Sequence, residues 1–407
     1  MLQIILLYSL FISVANAWQL VREYSGQNFF NGWDFYGSWD NLTQGNVTWV
    51  SQSVAASQDL AYVNNNGHAI LKVDNTTNVP SGGRRNSIRI TSQDTYALGS
   101  LWIIDLDHIP YGCSVWPAFW TFGPNWPEDG EIDIIEGINL MSSNQMALHT
   151  TSGCTLSSTA TQLGTTDVTD CSSAAGCTVT ETSNSSYGSN FEGGVWATQF
   201  DSSGIFIWFW SRSNVPSSIT GATSTSSIDP SSWGTPHANY SSSTCNIEQY
   251  FSPQNLVLDI TLCGDWAGLS QFYSSTCGNS GPTGNCYQDC VVGPGSPRYD
   301  NAYFDISYIR AYSNSTVPTA TGTSGSAPAT ATATTVSSSP AAGASGSASS
   351  STSTSVTPWG TNNAFSPPKC RATQNPARSK RSTPSLARTV MSRVHGVANR
   401  AYRTWFF

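Results

Sequence analysis

Three carboxylates lie within six residues of one another in the stretch 130–139, which reads G-E-I-D-I-I-E-G-I-N. Charged residues make up only 10% of the 407-residue chain, so this concentration needs a chemical reason. Carboxylates gathered in one cleft can divide the work of catalysis, one held ionised and another held protonated. The β-branched Ile132, Ile134 and Ile135 between them predict a strand. Side chains alternate along a strand, so Glu131 and Asp133 share a face while Glu136 would point to the opposite one. A carboxylate driven into a core without a partner is costly. One extra residue, inserted as a β-bulge between Asp133 and Glu136, restores the phase and brings all three acids onto one surface. The Cα atoms of Glu131 and Glu136 then stand roughly 13 Å apart. Side chains leaning together over a concave sheet would bring the carboxyls to roughly 5–6 Å, the spacing at which one attacks a sugar and the other donates a proton.

The elements around this stretch predict an all-β domain. From Trp18 to about Tyr312 the chain is rich in aromatic and β-branched residues, punctuated by Gly, Asn, Ser and Pro, with no sustained helical period. Strands are expected at residues 68–73, 87–91, 100–105, 145–150, 194–200, 204–210, 256–262 and 302–312, besides the acid strand. The run around Val115 and Trp116 is disfavoured because Pro117 has no ladder donor. The segment G-I-F-I-W-F-W at 204–210 is apolar on both faces, as a strand is when two sheets pack and loops cover the outer side. Trp208 and Trp210 are therefore assigned to the core.

The ends of the chain differ in kind from this body. Residues 1–17 form a short apolar run ending in Ala15-Asn16-Ala17, which reads as a secretory signal peptide and is too short to span a bilayer. Residues 313–361 are almost wholly Ser, Thr, Ala, Pro and Gly, a disordered linker. Residues 362–407 carry nine Lys and Arg with no acid, a basic and disordered tail. Residues 1–361 hold 8 basic and 25 acidic residues, a formal charge of −17 that argues against nucleic acid as a partner. A secreted protein is consistent with six Asn-x-Ser/Thr sequons, at Asn41, Asn46, Asn75, Asn184, Asn239 and Asn314. Ten cysteines without a Cys-x-x-Cys pair point to disulfides rather than zinc. Nine of them fall between Cys113 and Cys290, so one is expected to be free. Cys113, remote from the others, is the candidate, and Cys171 with Cys177 is one local pairing.

The stretch W-P-A-F-W-T-F-G-P-N-W-P-E-D-G-E-I-D-I-I-E-G-I-N resembles glycoside hydrolase family 16, and within it the fungal endo-1,3(4)-β-glucanases, or laminarinases. Supporting pieces are R-R-N-S-I-R-I at 84–90, N-Q-M-A-L-H-T at 144–150, W-G-T-P at 233–236, L-C-G-D-W-A-G at 262–268 and the closing A-Y-F-D-I-S-Y-I-R-A-Y. The resemblance implies a β-jelly-roll sandwich of two antiparallel sheets with a concave cleft. It implies retaining hydrolysis of β-1,3 or mixed β-1,3/1,4 glucan, with Glu131 as nucleophile, Glu136 as general acid/base and Asp133 assisting. Flat aromatic rings suit the apolar faces of sugars, which makes Trp120, Trp126 and Trp266 the expected platforms. His149 matches a cleft position, and Arg85 and Asn139 are weaker candidates as donors to sugar hydroxyls. Asp305 lies where some relatives hold a structural calcium, but no acidic calcium loop accompanies it, so neither metal nor cofactor is expected. The partner expected is β-glucan, acted on by a monomer outside the cell. A cell-wall transglycosylase of the same family is the alternative; the shorter E-x-D-x-E usual in fungal wall transglycosylases speaks against it. A non-catalytic β-glucan binder would typically lack one or both glutamates, and a merely structural surface domain would not need the trio.

Overall fold

The computed structural model describes residues 17–314. Residues 1–16 of the expected leader, residues 315–361 of the expected linker and the basic tail, with Cys370, lie outside the described residues, while Ser313 ends the last strand of the sandwich and not the linker. Two antiparallel sheets pack face to face as a jelly-roll sandwich. The cleft sheet runs Thr165–Thr166, Cys177–Thr180, Gln145–His149, Glu131–Glu136, Val115–Phe122, Asn255–Leu262, Arg89–Ser92 and Trp33–Phe35. The acid strand thus lies in its interior. The back sheet runs Ser227–Ile228, Trp18–Ser25, Tyr303–Ser313, Ser100–His108, Gly194–Asp201, Gly204–Ser211 and Ala238–Ser241; Ala69–Lys72 joins it through Tyr303–Ser313.

Alternation along the strands decides what fills the space between the sheets. Ile132, Ile134, Ile135, Met146, Leu148 and Phe119 of the cleft sheet pack into one buried cluster with Trp102, Ile104, Trp196, Phe200 and Phe209 of the back sheet. Burying each such side chain contributes about 1.5–3 kcal/mol. The strand Gly204–Ser211 is apolar on both faces for the reason anticipated. Ile205, Ile207 and Phe209 face the main core, while Trp208, flanked by Phe206 and Trp210, faces a second cluster with Trp18, Ile219, Ile228 and Trp233 on the outer side.

Three sequence expectations need correction. Val115–Phe122 is a central strand despite Pro117. The carbonyl of Val115 accepts from the Asn139 amide (2.9 Å) on the side of the acid strand. By alternation the backbone nitrogen of Pro117 faces that same side, beyond the end of the acid strand at Glu136, so no ladder bond is lost. Cys113 is not free. It is bridged to Cys277 across 164 residues, with further bridges Cys154–Cys245, Cys171–Cys177 and Cys263–Cys286, and the buried Cys290 is the free thiol. Residues 87–91 do not form one strand; they divide between Arg85–Ser87, which pairs in parallel with Val47–Trp49, and Arg89–Ser92 in the cleft sheet. Short helices that the sequence did not announce, including Gln52–Ser57 and Ser270–Cys277, cover the margins.

Candidate active site

The acid strand carries the bulge. Against Val115–Phe122, Asp133 pairs with Trp120 but Ile135 pairs with Phe119, which leaves Ile134 as the extra residue. Against Gln145–His149 the register shifts at the same place, between Asp133 and Glu136. Ile134 and Ile135 both bury in the core, and the three acids come to share the cleft face. A bulge strands backbone groups, and here one side chain takes up two of them. Asn144, fully buried, accepts from the Glu136 amide (2.9 Å) and donates to the Ile134 carbonyl (2.9 Å). Nothing in the sequence beyond its place in N-Q-M-A-L-H-T singled out Asn144. Gly130 fixes the other end of the strand. Its φ of +77° suits glycine, and a Cβ there would lie 2.3 Å from the Phe251 ring.

The acids differ in surroundings. Glu131 accepts a short hydrogen bond from the indole N–H of Trp126. Glu136 accepts from the indole N–H of Trp116 (2.8 Å). Burial pushes the Glu136 carboxyl up to about 8; the Trp116 bond opposes this, and the negative charges of Glu131 and Asp259 add to it. Asp133 is buried, and burial followed by the charges of Glu131 and Glu136 raises it well above the usual carboxylate range. It lies within hydrogen-bonding reach of Glu131. On its other side the His149 Nε2 stands 3.4 Å from Asp133 Oδ2. His149 is pressed into place by Gly176, whose φ is +69° and whose Cβ, if present, would meet that Nε2 at 2.9 Å. The small Cys171–Cys177 loop carries this glycine.

A fourth carboxylate belongs to this set and escaped the sequence reading. Asp259, on the neighbouring strand Asn255–Leu262, pairs with Ala118 and accepts from the Trp120 indole (3.0 Å). Arg89 lies over the Trp120 ring at 5.4 Å and over Tyr36 at 4.9 Å. Burial raises Asp259 to about 7, against the attraction of Arg89 and the Trp120 bond. Its sequence signal was only an acid at a cleft-facing position of an otherwise apolar strand.

The expected aromatic residues are spread along the same face. Trp126 is 52% exposed beside Glu131, whereas Trp120 is only 8% exposed, a wall of the cleft more than an open platform. Trp266 is half-buried and meets Trp116 edge to face at 5.5 Å. The exposed Tyr36 and Trp39 were not anticipated.

Two weaker expectations fail on geometry. Arg85 is fully buried, with its guanidinium spent on the carbonyls of Asp74, Thr77, Val291 and Gly293 and its plane over Tyr299, so it has no reach to a sugar. Asn139 is also buried; its side chain accepts from the Ser114 amide and donates to the Ala267 carbonyl, which anchors the turn beside Trp266. Asp305 lies on the back sheet with His68 Nδ1 2.8 Å away, and Asp107 Oδ2 is 3.4 Å from the same nitrogen. Arg212 occupies the other oxygen of Asp107 at 2.7 Å. These three side chains form the one His/Asp grouping of metal-ligand size among the described residues.

Comparison with known proteins places this geometry in a family. The XgeA-like, catalytic GH16 domain matches residues 33–312. A probable endo-1,3(4)-β-glucanase of Aspergillus fumigatus is 40% identical over 308 residues, which cover 73% of this chain and 46% of the relative, so the chain spans about half the length of that curated relative. The GH16 laminarinase 16A of Phanerochaete chrysosporium, solved with 6-O-glucosyl-laminaritriose in donor and acceptor sites, is 33% identical with a TM-score of 0.67, covering 73% of this chain and 99% of that one. An elongating GH family 16 β-1,3-glucosyltransferase is 39% identical with a TM-score of 0.67 over 73% of this chain and 100% of that structure. With a bulged acid strand at its centre and a family match across nearly all of its sandwich, the chain belongs to glycoside hydrolase family 16, as an XgeA-like catalytic domain.

Proposed function

We propose that the protein is a secreted, monomeric endo-β-1,3(4)-glucanase that cleaves β-1,3 and mixed β-1,3/1,4 glucan with retention of configuration. The observation that supports this reading is the bulge between Asp133 and Ile135, which lets Glu131 and Glu136 share one face of the strand. Glu136, raised to about 8, holds a proton at neutral pH. In the first step a Glu131 carboxylate oxygen attacks the anomeric carbon as the glycosidic C–O bond breaks, and the Glu136 proton goes to the leaving oxygen. A glycosyl ester remains on Glu131. Glu136, now ionised, takes a proton from water, whose oxygen attacks the same carbon and releases Glu131. Asp133, held between Glu131 and His149, steadies the nucleophile and shares its charge. Replacing Glu131 with Ala is expected to lower laminarin hydrolysis at least ~10³-fold while leaving glucan binding intact. Unchanged turnover would overturn the assignment.

A second reading, transfer of the glycosyl group to another sugar, is favoured by the likeness to the elongating glucosyltransferase. It uses the same first step and differs only in the acceptor. Incubation with laminari-oligosaccharides separates the two: shorter products alone support hydrolysis, and products longer than the substrate support transfer.

A further inference from the structure

Two large rings stand exposed in the loop that follows Trp33–Phe35, the last strand of the cleft sheet, and the catalytic steps use neither. Tyr36 is 41% and Trp39 46% exposed. A buried carboxylate pins this loop. Asp40 is 2% exposed; its Oδ1 accepts from the Leu42 and Thr43 amides (3.2 and 3.1 Å), and its Oδ2 accepts from the Gly45 amide (3.2 Å) and the Thr261 hydroxyl (2.6 Å). With Asp40 turned inward, its neighbours Trp39 and Asn41, both exposed, emerge together on the outer side of the loop. The Arg84 guanidinium lies over the Trp39 ring at 5.8 Å and steadies it.

Asn41 heads the sequon Asn41-Leu42-Thr43. Its side chain is already oriented. The Tyr36 hydroxyl donates to Oδ1 (2.8 Å), while Nδ2, the atom that carries an N-glycan, donates to no atom among the described residues. An N-linkage keeps the amide oxygen, so the Tyr36 bond survives attachment. The other sequons lack this arrangement. Nδ2 of Asn75 is committed to Asp300 (2.7 Å) and Nδ2 of Asn239 to the Thr161 carbonyl (3.0 Å). Two residues before Asn46 and Asn184 stand Gln44 and Thr182, and before Asn314 stands Tyr312, which is fully buried. Asn41 alone of the six has an exposed aromatic ring at that place. A pyranose ring presents an apolar face of C–H bonds, which an exposed indole complements through dispersion and buried area.

We propose that Asn41 is an N-glycosylation site whose innermost N-acetylglucosamine packs against Trp39. The proposal rests on the secreted reading above. In attachment Nδ2 bonds to C1 of the sugar, the bond from C1 to the diphosphate of a lipid-linked donor breaks, and the proton lost from Nδ2 goes to the departing diphosphate. The full chain is secreted from a glycosylating eukaryotic host, and peptide mass spectrometry is expected to find a glycan on Asn41. A bare Asn41 in the secreted chain overturns the proposal and spares the secreted reading. A chain that stays in the cell with every sequon bare overturns both. Packing is read from the rate at which a peptide N-glycosidase frees Asn41 of its glycan in the folded protein, with Asn184 in the same samples as the reference. Trp39→Ala is expected to speed release at Asn41 relative to Asn184 at least ~fivefold, and Trp39→Phe to keep it within ~twofold of the parent. Tyr36→Phe, which removes only the hydroxyl that orients the amide, should speed it at least ~twofold. Release should also lower the Tm of the parent by about 2 °C. Unchanged release at Asn41 in both Trp39→Ala and Tyr36→Phe, or release that quickens equally at Asn184, overturns the packing and with it the proposal.

Discussion

In the proposed mechanism Glu136 serves as the acid, a task suited to a half-buried carboxyl set beside other acids. The residue keeps its proton through a pH range in which an exposed glutamate is ionised, and Trp116 stops it from rising further. The alkaline limb of kcat/KM should therefore fall near pH 8, and an activity that persists unchanged well above that value would remove Glu136 as the proton donor. Asp259 adds negative charge to the same site, so Asp259→Asn should move that limb to lower pH, as read from rate profiles on a soluble glucan. The same burial affects stability. Between the ordinary glutamate value of 4.5 and about 8, the folded state retains a proton that the unfolded state has lost, so stability falls as pH rises through this window. Glu136→Gln does not titrate. It should be more stable than the parent at pH 8 by about 1 kcal/mol or more, with the gap closing toward pH 4.5, in denaturant unfolding at both values. The three acids of the strand were legible because their parity was impossible in a regular strand. Asp259 was not, since a single acid among apolar residues has no such contradiction. Arg85 was misread because its neighbours in sequence say nothing of the four carbonyls that fold around it.

The bulge is the element that makes the site. Its cost in unpaired backbone is met by Asn144, just before the next strand, so strand, turn and site geometry are one unit. Replacing Asn144 with Ala leaves two buried backbone groups unpaired and should destabilise the domain by about 2–4 kcal/mol, from ~1–2 for each. It should also lower kcat more than it raises KM, because Glu136 loses the bond that fixes its amide. A variant with native stability and kinetics would show that the bulge needs no such support. Long strands such as those at 100–105 and 204–210 were legible from their β-branched and aromatic content. Three-residue strands such as Trp33–Phe35 were not, because so short a run carries no period. Pro117 misled for a physical reason: the rule against proline in a central strand holds only where the missing donor faces a partner.

At the scale of the molecule, the sandwich closes through bridges that join distant parts of the chain, and spacing could not reveal them. Cys113 and Cys277 are 164 residues apart yet meet beside the turn that carries Trp266. The secreted reading makes a prediction of its own about the sequons. Asn184 is exposed, whereas the Asn239 side chain donates to the Thr161 carbonyl (3.0 Å) and its oxygen is buried. Peptide mass spectrometry of the secreted protein should find a glycan on Asn184 and none on Asn239; the reverse pattern would contradict the described packing. The central claim concerns one surface on which Glu131 and then water attack the same carbon, with Glu136 moving the proton in both steps. It is tested most directly by following laminarin hydrolysis by proton NMR faster than mutarotation. The account predicts that new reducing ends appear first as the β-anomer and drift later toward equilibrium. New ends that appear first as the α-anomer would contradict it.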